Sequence, residues 1–290
     1  VPALLVLFIR AGVPESPSWK AGGSQVRKVD PVHALAGVIG TIAIIVGSFE
    51  ALGIVETIIE QFGHIGIDLG WMQMPLPLGL ALLALGLVVT PFAFGRKYYW
   101  LALFGMVLMA GFNSLSHGTQ DFYSNFLRIQ HGFDARTASL VIMAGSLGAI
   151  CGGIISGTLS QIIGRRRMIT IGALLLLPMI PAWAFLATTP WMFALAVFAL
   201  QFCVQGAWGV VPAHLNEISP GDVRGTFPGF VYQVGNLLSA GVPFTQTFLV
   251  EHQAWQYGQA LALAAVCAAA AIAVLVNLGP EGRHVEMAHN

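Results

Sequence analysis

Charge is scarce in this chain. Lys and Arg together number 13, Asp and Glu another 13, and the four make up 9% of 290 residues, against about 25% in an ordinary globular domain. So few charges cannot cover a water-facing surface, which excludes a soluble domain of this length. The formal net charge is zero, so nothing in the overall charge suggests a nucleic-acid partner. Cysteine is limited to Cys151, Cys203 and Cys267, each inside an apolar run. They have no metal-ligand spacing and form no disulfide framework, and they read as small packing residues. What is abundant is apolar: 56% of residues are hydrophobic and the mean hydropathy is +0.77. Several runs reach the ~20 residues that cross a bilayer's hydrocarbon core.

These runs predict an all-α fold, a polytopic transmembrane helical bundle. Val1 to Ile9 reads as the end of a helix begun earlier, so the chain is expected to be the C-terminal part of a longer protein. The expected organisation is a helix end at 1–10, a cytoplasmic connector at 11–33, a transmembrane hairpin at 34–97, a six-helix bundle at 98–279 and a cytoplasmic tail at 280–290. The eight spans are expected at 34–55, 75–95, 99–125, 137–160, 168–187, 191–215, 227–249 and 258–278. Alternating from Arg10, one side receives Arg10, Lys20, Arg27, Lys28, Arg96, Lys97, Arg165, Arg166, Arg167, Arg224 and Arg283, and the other only Arg128 and Arg136. The positive-inside rule makes the richer side, and with it the C-terminus, cytoplasmic. The acidic stretch with Glu56, Glu60 and Asp68 is then expected as an outside loop, and Gly63-His64-Ile65-Gly66 as part of it.

One span carries a polar stripe. At 100° per residue, Asn113, Ser116, His117, Gln120, Asp121 and Ser124 fall within an arc of roughly 140°. His117 and Asp121, four apart, are neighbours on one helix face. An ionised side chain at mid-bilayer costs about 2.5–3.5 kcal/mol even on lenient scales, so such residues face a cavity and carry function. His117 and Asp121 can together hold and release a proton. Asn113, Ser116 and Gln120 can hydrogen-bond a carboxylate or hydroxyl. The plainer reading is interhelical hydrogen bonding alone. Gln201, Gln205 and Trp208 share a face of a later span, as do Tyr232, Asn236 and Ser239 of the next, with Gln233 beside them; Gln205 and Asn236 are candidate lining residues.

Asn113-x-x-Ser116-His117-x-Thr119-Gln120-Asp121 resembles the signature of the sialate/monocarboxylate–proton symporters of the major facilitator superfamily, which include fungal lactate/pyruvate and bacterial sialate symporters. Ser124 stands where that signature has threonine. Bacterial relatives read Tyr-Pro-Thr where this chain has Tyr123-Ser124-Asn125, so a less kinked helix is expected. The resemblance implies the C-terminal half of that fold with two extra central spans, and proton-coupled symport of a small organic acid, monocarboxylate or sialate-like. It implies His117 and Asp121 for proton coupling, and Asn113, Ser116, Thr119 and Gln120 to shape the site. The expected partners are the acid, protons, the lipid bilayer of a bacterial inner membrane and a missing N-terminal half. No cofactor is expected beyond the proton gradient. A sugar or polyol cargo, and a non-transporting sensor or assembly subunit, remain open. An intramembrane enzyme is not expected, since no nucleophile with a convincing base accompanies the pair.

Other motifs point the same way. Pro14-Glu15-Ser16-Pro17-Ser18-Trp19 resembles the turn after the sixth helix in the superfamily. Gly157-x-x-x-Gln161-Ile162-x-Gly164-Arg165-Arg166 resembles its cytoplasmic loop motif, with Gln161 and Ile162 replacing the acidic and first basic positions; Gly164, Arg165 and Arg166 then gate or merely anchor topology. Glu217-Ile218-Ser219-Pro220-x-x-x-Arg224-Gly225 resembles the loop after the tenth helix, where Glu217 and Arg224 can pair and lock one conformation. Gly145, Ala149, Gly153 and Gly157 form a small-residue ridge. Trp183, Trp191 and Trp255 fit an interfacial belt, and His131 reads as a plain loop residue.

Overall fold

The computed structural model describes residues 30–63 and 70–281. The Pro14–Trp19 turn, the residues Arg10, Lys20, Arg27, Lys28, Asp68 and Arg283, the segment 64–66 and the tail beyond Glu281 lie outside these residues. Every regular element among the described residues is helical.

Asp30 opens α1 (Pro31–Ala51): its Oδ1 accepts from the Val32 amide at 2.9 Å, and Pro31 fills a first-turn position that needs no N–H. The buried face of α1 holds Gly37, Gly40, Ala43, Ile44, Gly47 and Glu50. It packs antiparallel on α3 (Leu76–Val89), with Gly47 against Gly79 and Leu83, and Gly40 against Gly86 and Thr90. Bare glycines on both sides bring the two backbones into contact, the device by which helices associate where apolar burial offers no driving force. Between them, the acidic stretch with Glu56 and Glu60 is helical, not a loop: it forms the ten-residue α2 (Ile54–Gly63). Apolar Ile54, Val55, Ile58 and Ile59 alternate with the acids at helical spacing.

The chain reverses through a 3-10 turn, Thr90–Phe94, into Gly95, whose φ of +75° a side chain would strain. No loop intervenes, and Arg96 and Lys97 lie in the first turn of α4 (Gly95–Gln120). Beyond α4 come α5 (Ala135–Ile163), α6 (Arg165–Leu176), α7 (Pro190–Ile218), α8 (Phe227–Ser239), α9 (Gly241–His252) and α10 (Tyr257–Leu278). Among the described residues, six segments are long and apolar enough to cross a membrane. One of them, Leu76–Gln130, has 55 residues and is two antiparallel crossings joined at Gly95. The span expected at 227–249 is divided at Ala240 into α8 and α9.

Close contacts fix the directions. Gly105 and Gly235 set α4 parallel to α8, through Val231 and Met109. Gly111 and Gly118 set α4 antiparallel to α10, through Ile272 and Ala264. Gly145, Gly148 and Gly152 set α5 parallel to α7, through Val197, Phe198 and Phe202. Of the expected ridge, Gly145 lies in that row and the Gly153 backbone packs against Gly209 of α7, while a Cβ at Gly157 would meet only the Gly209 carbonyl at 3.5 Å and Ala149 borders a cavity. The alternation leaves Arg96, Lys97, Arg165, Arg166, Arg167 and Arg224 at one end of the bundle and Arg128 and Arg136 at the other.

Large apolar side chains remain uncovered along the outer faces, among them Leu140, Met143, Leu147, Ile150 and Ile154 of α5. Such a surface requires a bilayer as solvent. Trp191 and Trp255 are exposed as a belt requires, but Trp183 is fully buried. The α6 segment continues through helical turns to Leu186, which carries Trp183 inside the bundle. There it stacks on Tyr123, in a cluster with Phe126, Phe193 and His131. His131 is therefore a packed residue, and burial among the rings pushes its imidazole below the ordinary histidine range.

Candidate functional site

The depth of the polar stripe follows from the α4–α10 register. A 22-residue helix such as α10 is about 33 Å long, close to the ~30 Å hydrocarbon thickness. Its ends lie against Phe104 (through Gly279) and Phe126 (through Gly258) of the stretch that α4 leads. His117 sits near the middle of that stretch. Gln201 and Gln205 lie near the middle of α7, and Asn236 faces the same level from α8.

His117 joins two helices. Its Nδ1 is 2.9 Å from Asp121 Oδ2 and its Nε2 is 3.1 Å from Asn236 Oδ1. Both members of the pair keep partial access, at 34% and 40% of their side-chain surface, so a proton can enter and leave. With the Asn236 oxygen toward Nε2, both ring nitrogens donate and the ring carries its proton. With the amide turned over, Nδ2 donates to Nε2 and the ring is neutral. The same three side chains satisfy both states. The α-helix is interrupted at Asp121–Phe122 without any proline, then resumes as a turn at Tyr123–Asn125 and a π segment at Phe126–Gln130.

The rest of the stripe divides. Asn113 is buried and donates to the Met109 carbonyl of its own helix at 2.9 Å, and Thr119 is buried and donates to Leu115 at 2.8 Å. Ser116 is half-buried beside His117. Gln120 turns away from the histidine and donates to Gln201 Oε1 at 3.4 Å. A cavity of about 160 Å³ opens between α4, α5 and α7, with Gln120, Gln201, Gln205, Ser146 and Tyr123 as its polar lining beside Thr119. Neither His117 nor Asp121 borders it. Gln201, Ser146 and Tyr123 were not singled out as site residues by the stripe; only the shared face of Gln201 and Gln205 pointed here. No cluster of three or more metal-ligating side chains occurs among the described residues.

The basic end holds a second constellation. Gly164, at φ +108°, is the whole link between α5 and α6 and turns Arg165 toward α7. Arg165 Nη2 lies 2.6 Å from Glu217 Oε1, its Nε is 3.0 Å from Oε2, and its Nη1 donates to Ser160 Oγ at 2.5 Å. Glu217 thus takes Arg165 as its ion-pair partner in place of the expected Arg224. Arg224 instead donates to the Ser219 carbonyl at 3.2 and 3.3 Å, because the turn after α7 folds it back on its own loop. Arg166 donates to the Asn277 carbonyl of α10. The Glu281 carboxylate accepts the Arg165 and Arg166 amides at 3.3 Å each, a favourable place for an anion at a helix start.

The profile of the Major Facilitator Superfamily matches residues 119–287, more than half of the chain. The chain belongs to the major facilitator superfamily. It is a multi-pass integral membrane protein of this family of transporters. It is 36% identical over 160 residues to a "Carboxylic acid transporter protein homolog" of Saccharomyces cerevisiae, covering 54% of this chain and 25% of that protein. It is 31% identical over 133 residues to a "Probable metabolite transport protein" of Bacillus subtilis, covering 45% and 28%. It is 26% identical over 148 residues to a "Probable 4-methylmuconolactone transporter" of Cupriavidus pinatubonensis, covering 51% and 34%. The matched part is thus about a quarter to a third of each relative's length.

Proposed function

We propose that this chain forms one wall of the central site of a proton-coupled symporter for a small organic acid. The observation that carries the reading is the His117–Asp121 pair at mid-depth, held from a second helix by Asn236. An ionisable pair is expensive in that position unless it works, and this one can change protonation without losing a hydrogen bond. The polar cavity of about 160 Å³ beside it offers this wall's hydrogen-bonding groups to the body of an acid, monocarboxylate or sialate-like. The name of the yeast relative agrees in substrate class. The opposing wall comes from the other half of the full-length transporter, and the two halves rock about the site. The α1–α3 hairpin is an insertion ahead of the six-crossing bundle. The basic end faces the cytoplasm, and the proton gradient is the driving force, with no bound cofactor. Arg165, Arg166, Gly164, Glu217 and Arg224 hold the cytoplasmic end in one of its conformations.

The test uses the full-length protein in liposomes that contain a pH-sensitive dye. Lactate, pyruvate, sialate and a neutral sugar are added in turn. Acidification of the lumen by an acid, unaffected by membrane voltage and lost in Asp121→Asn, is expected. One proton with one monoanion moves no net charge, whereas a proton with a neutral sugar moves a charge worth about 2.3 kcal/mol per 100 mV. Concentrative uptake that persists in Asp121→Asn refutes the role of the pair.

A further inference from the structure

Resting on that reading, we infer that α4 keeps proton and cargo body on different sides, and that Gln201 reads an uncharged oxygen of the cargo. The His117 pair looks toward α8, while the cavity lies toward α5 and α7 and shares no lining residue with it.

The chemistry of the lining decides what enters. Three carboxamides, from Gln120, Gln201 and Gln205, and the hydroxyls of Ser146 and Tyr123 supply donors and acceptors but no cation. A carboxylate placed there would be an unpaired charge in a low-dielectric site, which costs several kcal/mol. A hydroxyl or keto oxygen meets no such penalty. On this wall the amides therefore suit the oxygen-bearing body of the acid, and its charged end falls to the His117 side or to the opposing wall.

Two details suit the amides to exchange partners. The Gln120–Gln201 bond is long, at 3.4 Å, where a good N–H···O bond is about 2.9–3.0 Å, so a cargo oxygen can replace it with little loss. Tyr123 is 3% exposed, and beside the indole of Trp183 its hydroxyl makes no hydrogen bond of ordinary geometry among the described residues. A buried donor left in that state is the exception in folded proteins. Gln201 itself is 6% exposed, so it is held by packing rather than free to sweep.

A site built to hydrogen-bond a substrate oxygen discriminates strongly against the analogue that lacks it. The measurement compares lactate with propionate, which differ by one hydroxyl, in the full-length protein. The wild type should favour lactate at least tenfold in kcat/KM. Gln201→Leu should abolish most of that preference by raising KM for lactate, with propionate transport and the proton carried per acid unchanged. Gln205→Met, at a half-buried position, should weaken the preference in the same direction and guards against misfolding of the first variant. Transport of both acids without discrimination, or an equal loss of both in Gln201→Leu, overturns the inference and leaves the symport reading intact. A change in proton stoichiometry in Gln201→Leu also overturns it, because proton and cargo body would then share one site. If neither acid is carried, the symport reading fails and takes the inference with it.

Discussion

The α5–α7 interface allows a test with its own control one residue away. A Cβ added at Gly152 would stand 2.1 Å from the Phe202 carbonyl oxygen and 2.8 Å from Phe202 Cα. Both are backbone atoms, so no side chain can swing aside, and α5 and α7 must separate by roughly an ångström to restore van der Waals contact. A Cβ at Gly153 meets nothing closer than the Gln205 carbonyl oxygen at 3.6 Å, an ordinary contact. Each Gly→Ala change gains about 0.8–1 kcal/mol of helix propensity. Overpacking costs ~1–3 kcal/mol and falls on Gly152 alone. Gly153→Ala should therefore be neutral or stabilising, and Gly152→Ala less stable than Gly153→Ala by ~1–3 kcal/mol, because the propensity gain cancels in the comparison. The full-length protein in detergent, unfolded by heat and followed by tryptophan fluorescence, reads the difference. Trp208 on α7 is half-buried against Phe112 and Tyr232 and reports directly. Equal midpoints for the two variants, or the reverse order, would refute the packing argument. It would mean that α5 meets α7 on the Gly153 side of the helix more closely than at Gly148 and Gly152.

Two further outcomes follow from the ends of the bundle. Glu217→Gln leaves Arg165, whose side chain is 12% exposed, without its main counter-charge. The loss should be ~1–3 kcal/mol, between the values for exposed and fully buried pairs. The swapped double variant Arg165→Glu/Glu217→Arg should recover part of it in the same unfolding assay, whereas Arg224→Gln should not mimic Glu217→Gln. At the opposite end, burial among Phe126, Phe133 and Phe193 lowers the His131 pKa below its unfolded value of about 6.5. The unfolded chain then binds the proton more readily. Stability from this site is complete above pH ~6.5 and lost progressively as pH falls below it. His131→Phe keeps the ring packing and should flatten the stability decline between pH 7.5 and 5. The neighbouring Asp134 carboxyl, held low by its bonds to Thr137 and Arg136 at the start of α5, titrates below that window.

What was legible in the sequence was local. Apolar runs of bilayer length gave the crossings, because in hydrocarbon only an internally bonded helix can satisfy its backbone. The basic residues sorted to one end, and the i,i+4 spacing put His117 beside Asp121. The partners across helices were not legible. Asn236 lies 119 residues from His117, Gln201 lies 81 from Gln120, and Arg165 lies 52 from Glu217. Helical periodicity says which residues share an arc but not which helix stands opposite it. Nor does it tell a side chain facing a cavity from one that bonds its own backbone, as Asn113 and Thr119 do. Glu56 and Glu60 read as loop because acids mark span ends, yet the isoleucines between them support a short helix. Trp183 read as interfacial because its span seemed to stop at 187, where the helical path instead remains among its neighbours.

The division of the stripe constrains how coupling can work. An arc of about 140° is wide enough to address two neighbours at once, and α4 uses one edge for α8 and the other for α5 and α7. His117 and Asp121 touch no residue of the cavity lining. Direct contact between the cavity amides and the proton carrier therefore cannot transmit the state of one to the other. The covalent step between them is short: Gln120 and Asp121 are consecutive. They stand at the end of α4, where the Asp121 amide still bonds the His117 carbonyl at 3.2 Å just before the irregular turn at Phe122. On the symport reading proposed above, a reorientation of Asp121 when His117 changes its proton reaches the cavity through the backbone Asp121 shares with Gln120, and does not require the long bond to Gln201. If the proposed symport holds, a substitution that stiffens this turn should uncouple proton from cargo without altering the affinity for either, whereas Gln201→Leu should leave the coupling intact.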